Sequence, residues 1–460
     1  MTSHQPLPAF PDGFLWGTST SAFQIEGAAE ADGRGPSVWD AFARQPGRIK
    51  DGSDAATATD HYHRWREDVA LLRELGVGAY RFSVSWPRVL PTGGGEVNAP
   101  GLDFYDALVD ALCEAGIEPV PTLFHWDTPL PLEERGGWLE RDTAQRFADY
   151  ADAVAARLAD RVTHWITLNE PAEVTVLGYG LGAHAPGKRL LFDALPAAHH
   201  QLLGHGLAAR ALRAHGVRSV GVANSHGPVW PLSGSEEDTG AAEFYDLLTN
   251  RLFAEPLLLG RYPDDGLAAL LPGPVADDLE VIGGSLDWYG VNYYQPTLVG
   301  APDPHTQQDE FAGIGMPTEL PFGIREIPGK ERTGFGWAVV PEGLRETLRL
   351  LRERYGERLP PVLITENGCA YPEPVADSRR IAFHDAHLRE LHAALDEGAD
   401  VRGYFVWSLL DNFEWAEGYG QRFGLVHVDY ATRERTPKDS FHWLREVLRA
   451  QRPPGPGTGQ

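Results

Sequence analysis

Cysteine is almost missing from this 460-residue chain: Cys113 and Cys369 are the two present. A disulfide-stapled scaffold is therefore excluded. No stretch of about 18 uncharged apolar residues occurs, so no membrane-crossing helix is expected. The first residues, Met1-Thr2-Ser3-His4-Gln5-Pro6, have neither a basic start nor an apolar run, so a secretion leader is not expected and a cytoplasmic location is. Positive charge is scarce as well. Forty Lys and Arg face 65 Asp and Glu, a net −25 that disfavours nucleic acid and anionic membranes as partners. No Gly-x-Gly-x-x-Gly turn or Walker-type loop is present, and Gly93–Gly95 have no Lys-Ser/Thr sequel. Dinucleotide binding and phosphate-loop chemistry lose their usual equipment.

Aromatic residues are plentiful: 13 Trp, 15 Tyr and 19 Phe. Tryptophan is awkward to bury completely, so some rings are expected to line a cleft. Short apolar runs alternate with amphipathic stretches. The expected strands are Phe14–Thr18, Ala79–Ser83, Glu118–Leu123, Val162–Leu168, Val220–Ala223, Leu286–Asn292, Val362–Thr365 and Val401–Trp407. Between them, Asp60 is expected to cap a helix with Tyr62, Trp65, Val69 and Leu72 inward, and Phe104, Leu108 and Leu112 repeat at helical spacing before Gly116. Pro341 opens another helix with Leu344, Leu348 and Leu351 on one face, and a further one covers about 378–395. Cys113 reads as a small buried apolar residue. This alternation predicts an α/β fold: a (β/α)₈ barrel, one domain over 8–450 with long βα loops. The stretch Leu298–Arg332 reads as an excursion over the cleft, and the Pro/Gly-rich 453–460 as a disordered tail.

Two glutamates follow expected strands. Glu170 lies in Thr167-Leu168-Asn169-Glu170-Pro171 and Glu366 in Ile364-Thr365-Glu366-Asn367-Gly368. A lone Glu at a strand end is usually an ion-pair or cap residue. Two in matching positions suggest a pair at the C-terminal mouth, the equipment for cleaving a glycosidic bond. One carboxyl must protonate the leaving oxygen, and the other must stay ionised to attack or stabilise the anomeric carbon. Arg81, near the start of the second strand, is placed to hold an ionised Glu366, and Asn169 to bind a hydroxyl beside the reacting carbon.

Over about residues 8–450 the chain resembles glycoside hydrolase family 1, the β-glucosidase family. The matching segments include Phe14-Leu15-Trp16-Gly17, Gln24-Ile25-Glu26-Gly27, Tyr80-Arg81-Phe82-Ser83, Phe124-His125-Trp126-Asp127, Asn292-Tyr293-Tyr294, Trp407-Ser408 and Asn412-Phe413-Glu414-Trp415, besides the two Glu motifs. The resemblance implies a retaining enzyme with Glu170 as acid/base and Glu366 as nucleophile. It implies a sugar site of Gln24, His125, Trp126, Asn169, Glu414 and Trp415, with Trp407 beneath the ring and Trp337 walling the entry. Asn292 and Tyr294 become supporting partners, Tyr294 donating toward Glu366. No cofactor and no metal are implied; His199, His200 and His205 fall on one helix with no carboxylate suitably placed to complete a metal site. Retention predicts carboxyl groups about 5–5.5 Å apart.

The partners expected are small β-glycosides, with no nucleic acid and no membrane. Glucosides are favoured, with galactosidase or fucosidase side activity and some transglycosylation. Relatives acting on 6-phosphorylated sugars typically replace the acidic residue of this loop with Ser and add Lys. Here Glu414-Trp415-Ala416-Glu417-Gly418-Tyr419 carries two carboxylates and no Lys. The alternatives are a phospho-β-glycosidase, a glycosyltransferase using the same carboxyls, and a sugar-binding protein that has lost catalysis. The last would normally lack one of the two glutamates.

Overall fold

A computed structural model describes residues 6–302, 310–311, 314–315 and 319–452. The tail 453–460 and part of the 298–332 excursion lie outside the described residues. Eight parallel strands close into a barrel: β1 Leu15–Ser19, β2 Ala79–Ser83, β3 Glu118–Phe124, β4 His164–Asn169, β5 Ser219–Ser225, β6 Tyr289–Asn292, β7 Val362–Asn367 and β8 Val401–Trp407. Closure is made by β1, which pairs with β8 from Leu15↔Gly403 to Ser19↔Trp407 and with β2 from Gly17↔Ala79 to Ser19↔Arg81.

The strands coincide with the expected runs except at their edges. β4 starts at His164 because the Val162 N–H still bonds Leu158 at the end of the preceding helix. β6 starts at Tyr289; before it, Asp287 bonds Val220 of β5 twice, its N–H to the carbonyl at 2.8 Å and its carboxylate accepting from the N–H at 2.8 Å.

Inside the barrel, Leu15, Ala79, Val120, Ile166, Ala223, Trp288, Leu363 and Phe405 pack as one layer. Small residues make room for the large ones. A β-carbon on Gly17 would lie 2.3 Å from the Phe405 ring, and one on Gly221 would lie 2.4 Å from Trp288. The layer plugs the barrel floor and leaves the mouth for polar side chains.

The outer helices bury apolar stripes, each large side chain contributing about 1.5–3 kcal/mol. In His61–Leu75, Trp65, Val69 and Leu72 are buried, Tyr62 is half-buried, and His61 and Asp68 are buried as a pair at 2.8 Å. Asp60 does not cap this helix. It sits at φ +60°, and its carboxylate binds His63 at 2.6 Å instead of a helix N–H. Cys113 is exposed, not buried: in Ala99–Glu114 it falls just outside the stripe of Phe104, Leu108 and Leu112. Pro341–Tyr355 and Ser378–Asp396 form as expected. Beyond the mouth, Val229–Pro231, Thr297–Gly300 and Gly323–Arg325 form a small sheet from the loops after β5 and β6. Among the described residues no helix is long and apolar enough to cross a membrane.

Candidate active site

Every residue singled out from the sequence for the sugar site lies at the C-terminal end of the barrel or in a loop leaving it. Gln24 is in the short helix Ala22–Ile25 after β1, and Arg81 is within β2. His125 and Trp126 follow β3, while Asn169 ends β4 and Glu170 comes next. Asn292 ends β6, Glu366 lies in β7, Trp407 ends β8, and Glu414 and Trp415 lie in the loop after it.

Hydrogen bonds join the two glutamates through a shared set of neighbours. Arg81 donates from Nη1 to Glu366 Oε1 at 2.6 Å and from Nη2 to Asn169 Oδ1 at 2.5 Å. The Asn169 amide donates to Glu170 Oε2 at 3.3 Å. Asn292 donates to Glu170 Oε1 at 2.9 Å and to Asn169 Oδ1 at 3.0 Å, and its own carbonyl accepts from the Thr365 hydroxyl at 2.6 Å. The Tyr294 hydroxyl donates to Glu366 Oε2 at 2.7 Å. Thr365 was not singled out from the sequence; its place beside Glu366, as a buried hydroxyl on a strand, was the available signal.

The two carboxyls differ in their partners. Burial raises both above the usual carboxylate range. Glu170 rises further, because the Glu366 and Glu173 charges add to its burial and its direct donors are neutral amides. Glu366 is pulled back by the Arg81 guanidinium and the Tyr294 hydroxyl. The pair therefore loses its first proton from Glu366 and keeps the second on Glu170.

A polar cluster and an aromatic group lie beside them. Gln24 donates to Glu414 Oε2 at 3.2 Å and to the Phe413 carbonyl at 3.0 Å, while Ser21 donates to its Oε1 at 2.6 Å. Burial, reinforced by the Glu366 charge, pushes Glu414 up to about 8. His125 is kept neutral by burial and by Arg81. Its Nε2 accepts from the Asn169 amide at 3.1 Å, which leaves the hydrogen on Nδ1, and Nδ1 has no partner among the described residues.

The His125 ring lies nearly parallel to Trp407 and Trp415, with interplanar angles of 20° and 16°. Trp126 packs on Trp415 with centroids 4.5 Å apart and donates its N–H to the Asn169 carbonyl at 3.0 Å. Trp337 is half-buried and stands 5.1 Å from the Tyr294 ring. Three of these residues, Trp126, Glu170 and Trp415, have left-handed backbone at φ +73°, +46° and +47°. Such conformations cost on the order of 1–3 kcal/mol each and concentrate where side chains must be aimed.

Other expectations resolve differently. A lysine does approach the loop after β8: Lys50 Nζ is 3.2 Å from Glu417. It comes from a distant loop, so the local stretch could not reveal it. His199 does have a carboxylate, Asp278 at 2.9 Å, with Tyr262 on its other nitrogen. His200 bonds the Trp138 carbonyl, and His205 lies between Thr167 and Ser285. These are core histidines with partners from separate elements. Among the described residues no cluster of His, Cys, Asp or Glu is arranged to hold a metal. Cys369 is buried against Tyr371 and Phe383, and burial pushes its thiol up to about 12.

The model of the glycosyl hydrolase family 1 matches residues 7–453. The chain belongs to that family. As a family 1 member it is 42% identical to β-glucosidase A of Thermotoga maritima over 452 residues, 96% of this chain and 98% of the relative. It is 43% identical to a bifunctional β-D-glucosidase/β-D-fucosidase of Bifidobacterium breve, covering 95% and 98% of the two chains. The solved family 1 β-glucosidase of Thermotoga maritima in complex with isofagomine lactam superposes with a TM-score of 0.90 at 42% identity, over 97% of this chain and 99% of that one. The family 1 barrel and its loops therefore extend over nearly the whole chain.

Proposed function

We propose that this family 1 hydrolase is a retaining β-glucosidase, with Glu366 as nucleophile and Glu170 as acid/base. One observation carries the reading: Glu366 is held by a guanidinium and a phenol, while Glu170, joined to it through Asn169, has only amide donors. The ionised carboxylate and the proton donor are thereby told apart before any substrate arrives.

In the first step a Glu366 oxygen bonds to the anomeric carbon as its bond to the leaving oxygen breaks, and the Glu170 proton passes to that oxygen. A glycosyl ester results. In the second step Glu170 takes a proton from water, the water oxygen bonds to the carbon, and the ester bond to Glu366 breaks. Two inversions give retention, and a sugar hydroxyl in place of water gives transglycosylation.

Gln24, His125, Asn169, Glu414 and Trp415 would hold the hydroxyls of the terminal sugar, Trp407 its apolar face, and Trp126 would shape the wall. Trp337 would flank the entering aglycone. A carboxyl facing two neighbouring hydroxyls tolerates more than one sugar epimer. The bifunctional relative supports fucoside turnover beside glucoside turnover. The absence of a long apolar helix among the described residues is compatible with the cytoplasmic location expected from the sequence.

The test is a panel of aryl β-D-glycosides with glucose, galactose, fucose, mannose and 6-phosphoglucose heads, followed by ¹H NMR during hydrolysis. Preference for glucose and fucose with the β-anomer released first is expected. Preference for the phosphorylated head, or the α-anomer first, overturns the reading.

A further inference from the structure

The turn that carries Glu414 and Trp415 is gripped from two points of one loop. β1 and β8 are neighbours, paired up to Ser19↔Trp407, so the chain leaving each runs beside the other. Gln24, early in the loop after β1, donates to Glu414 Oε2 at 3.2 Å and to the Phe413 carbonyl at 3.0 Å. The second point is Asp51, later in the same loop. Its Oδ2 accepts from the Tyr419 N–H at 2.8 Å, and its Oδ1 accepts from the Ser53 N–H at 2.9 Å. Its neighbours reinforce the contact. The Lys50 N–H bonds the Ala416 carbonyl at 2.8 Å, and the Tyr419 hydroxyl donates to the Asp54 carbonyl at 2.9 Å.

Residues 414–419 form a compact turn, so a constraint on one end reaches the other. The Glu414 N–H bonds the Gly418 carbonyl at 2.7 Å, and the Gly418 N–H bonds the Trp415 carbonyl at 3.2 Å. Gly418 has φ +66°, a conformation that suits glycine. A β-carbon there would lie 2.0 Å from Asp51 Oδ1, so the carboxylate rests against the backbone of the turn. The Lys50–Glu417 ion pair at 3.2 Å adds little, because the Lys50 side chain is 73% exposed and such pairs are screened by water and salt. A carboxylate accepting from a backbone N–H makes a stronger, more directional bond. Asp51 is therefore the side chain that sets the place of the turn.

We propose that Asp51 is a positioning residue for sugar recognition: seated against Gly418 and Tyr419, it holds the turn that presents Glu414 and thereby sets the preference among terminal sugars. Gln24 aims the Glu414 side chain, and Asp51 fixes the backbone that carries it. A carboxyl held from both sides distinguishes sugars whose hydroxyls differ, and a looser one distinguishes less. The inference rests on the reading of Glu414 as a holder of the terminal sugar's hydroxyls.

The test is kcat/KM of Asp51→Ala for 4-nitrophenyl β-D-glucoside, galactoside and fucoside, measured well below its unfolding transition. The leaving group is shared, so the ratios report the sugar alone. The glucoside should fall by about tenfold. The fucoside, with one hydroxyl fewer to lose, should fall less, so the glucoside-to-fucoside ratio drops. A uniform fall for all three sugars, a rise in that ratio or no change overturns the inference. Should Asp51→Ala not fold, Asp51→Asn decides, since it keeps the shape and one acceptor oxygen. A smaller drop in the same ratio is expected, and an unchanged ratio overturns the inference. Lys50→Ala removes only the exposed ion pair and should leave the ratios as they are. A shift as large as that of Asp51→Ala transfers the role to the ion pair and overturns the assignment. Glu414→Gln separates the two levels. If it leaves the ratios unchanged, the reading of Glu414 itself falls. If it changes them and Asp51→Ala does not, only the role of Asp51 falls.

Discussion

Glu366 accepts from a guanidinium and a phenol, and Glu170 from two amides. That difference makes separate predictions for the two. Glu366→Ala lowers kcat on the order of 10⁴-fold or more, since the ester can no longer form. Azide fits the space of the lost carboxylate and restores turnover, giving an α-glycosyl azide by a single inversion; NMR of the product checks this, and a β-azide would point to a different nucleophile. Glu170→Ala removes general acid catalysis, worth about 10²–10⁴-fold, from substrates with poor leaving groups and much less from activated aryl glycosides. A series of phenols of rising acidity measures the difference.

These two residues were legible in the sequence because each follows a recognisable strand. Pairings between side chains from distant elements have no local signature. Lys50 beside Glu417 and Asp278 beside His199 escaped notice for that reason.

At the junction of β7 and β8 the backbones nearly touch. A β-carbon on Gly368 would lie 1.9 Å from the Trp407 carbonyl oxygen, so neither strand end can stay where it is. Gly368→Ala is expected to cost about 1–3 kcal/mol of stability. By moving Trp407 relative to the carboxyls it also lowers kcat/KM by about 10²-fold. Thermal unfolding and kinetics on the same sample check both; full activity would mean that Trp407 does not position the sugar.

The loop after β8 is pinned by Asp411, which accepts from Lys438 at 2.7 Å and Arg422 at 2.8 Å, with His427 alongside. Asp411 and Lys438 are fully buried. Removing one partner of a buried pair costs about 3–5 kcal/mol, so Asp411→Asn should lower Tm sharply. The partners hold the Asp411 carboxyl well below its usual value despite burial. Its stabilisation is thus complete above the free-carboxyl value and is lost as the pH falls through the lowered one. Unfolding measured across the acid range should show the parent losing stability with falling pH and Asp411→Asn losing less of it.

The strands themselves were readable as short apolar runs, with errors at edges such as the start of β4, where the preceding helix keeps the Val162 N–H. Two local readings failed for tertiary reasons. Asp60 prefers the His63 imidazole to a helix N–H, and Cys113 falls just off the buried stripe.

Across the chain, a net charge of −25 surrounds a mouth whose own carboxyls share one guanidinium. A neutral glycoside feels little of this field. Its kcat/KM should stay within about twofold as added salt shortens the screening length from about 30 to about 8 Å. A phosphorylated glycoside should gain over the same range as repulsion is screened. Stopped assays at graded ionic strength check both slopes, and a neutral substrate that responds strongly would show that the field reaches the reaction.

The account turns on Glu366 forming a covalent bond to the sugar while Glu170 supplies the proton. A 2-deoxy-2-fluoroglucoside with a good leaving group slows the second step more than the first, so the ester accumulates. Mass spectrometry of the digested protein should then place one fluoroglucosyl group on the peptide carrying Glu366, and reactivation by a sugar acceptor should remove it. A label on another residue, or full turnover with inversion and no label, would contradict it.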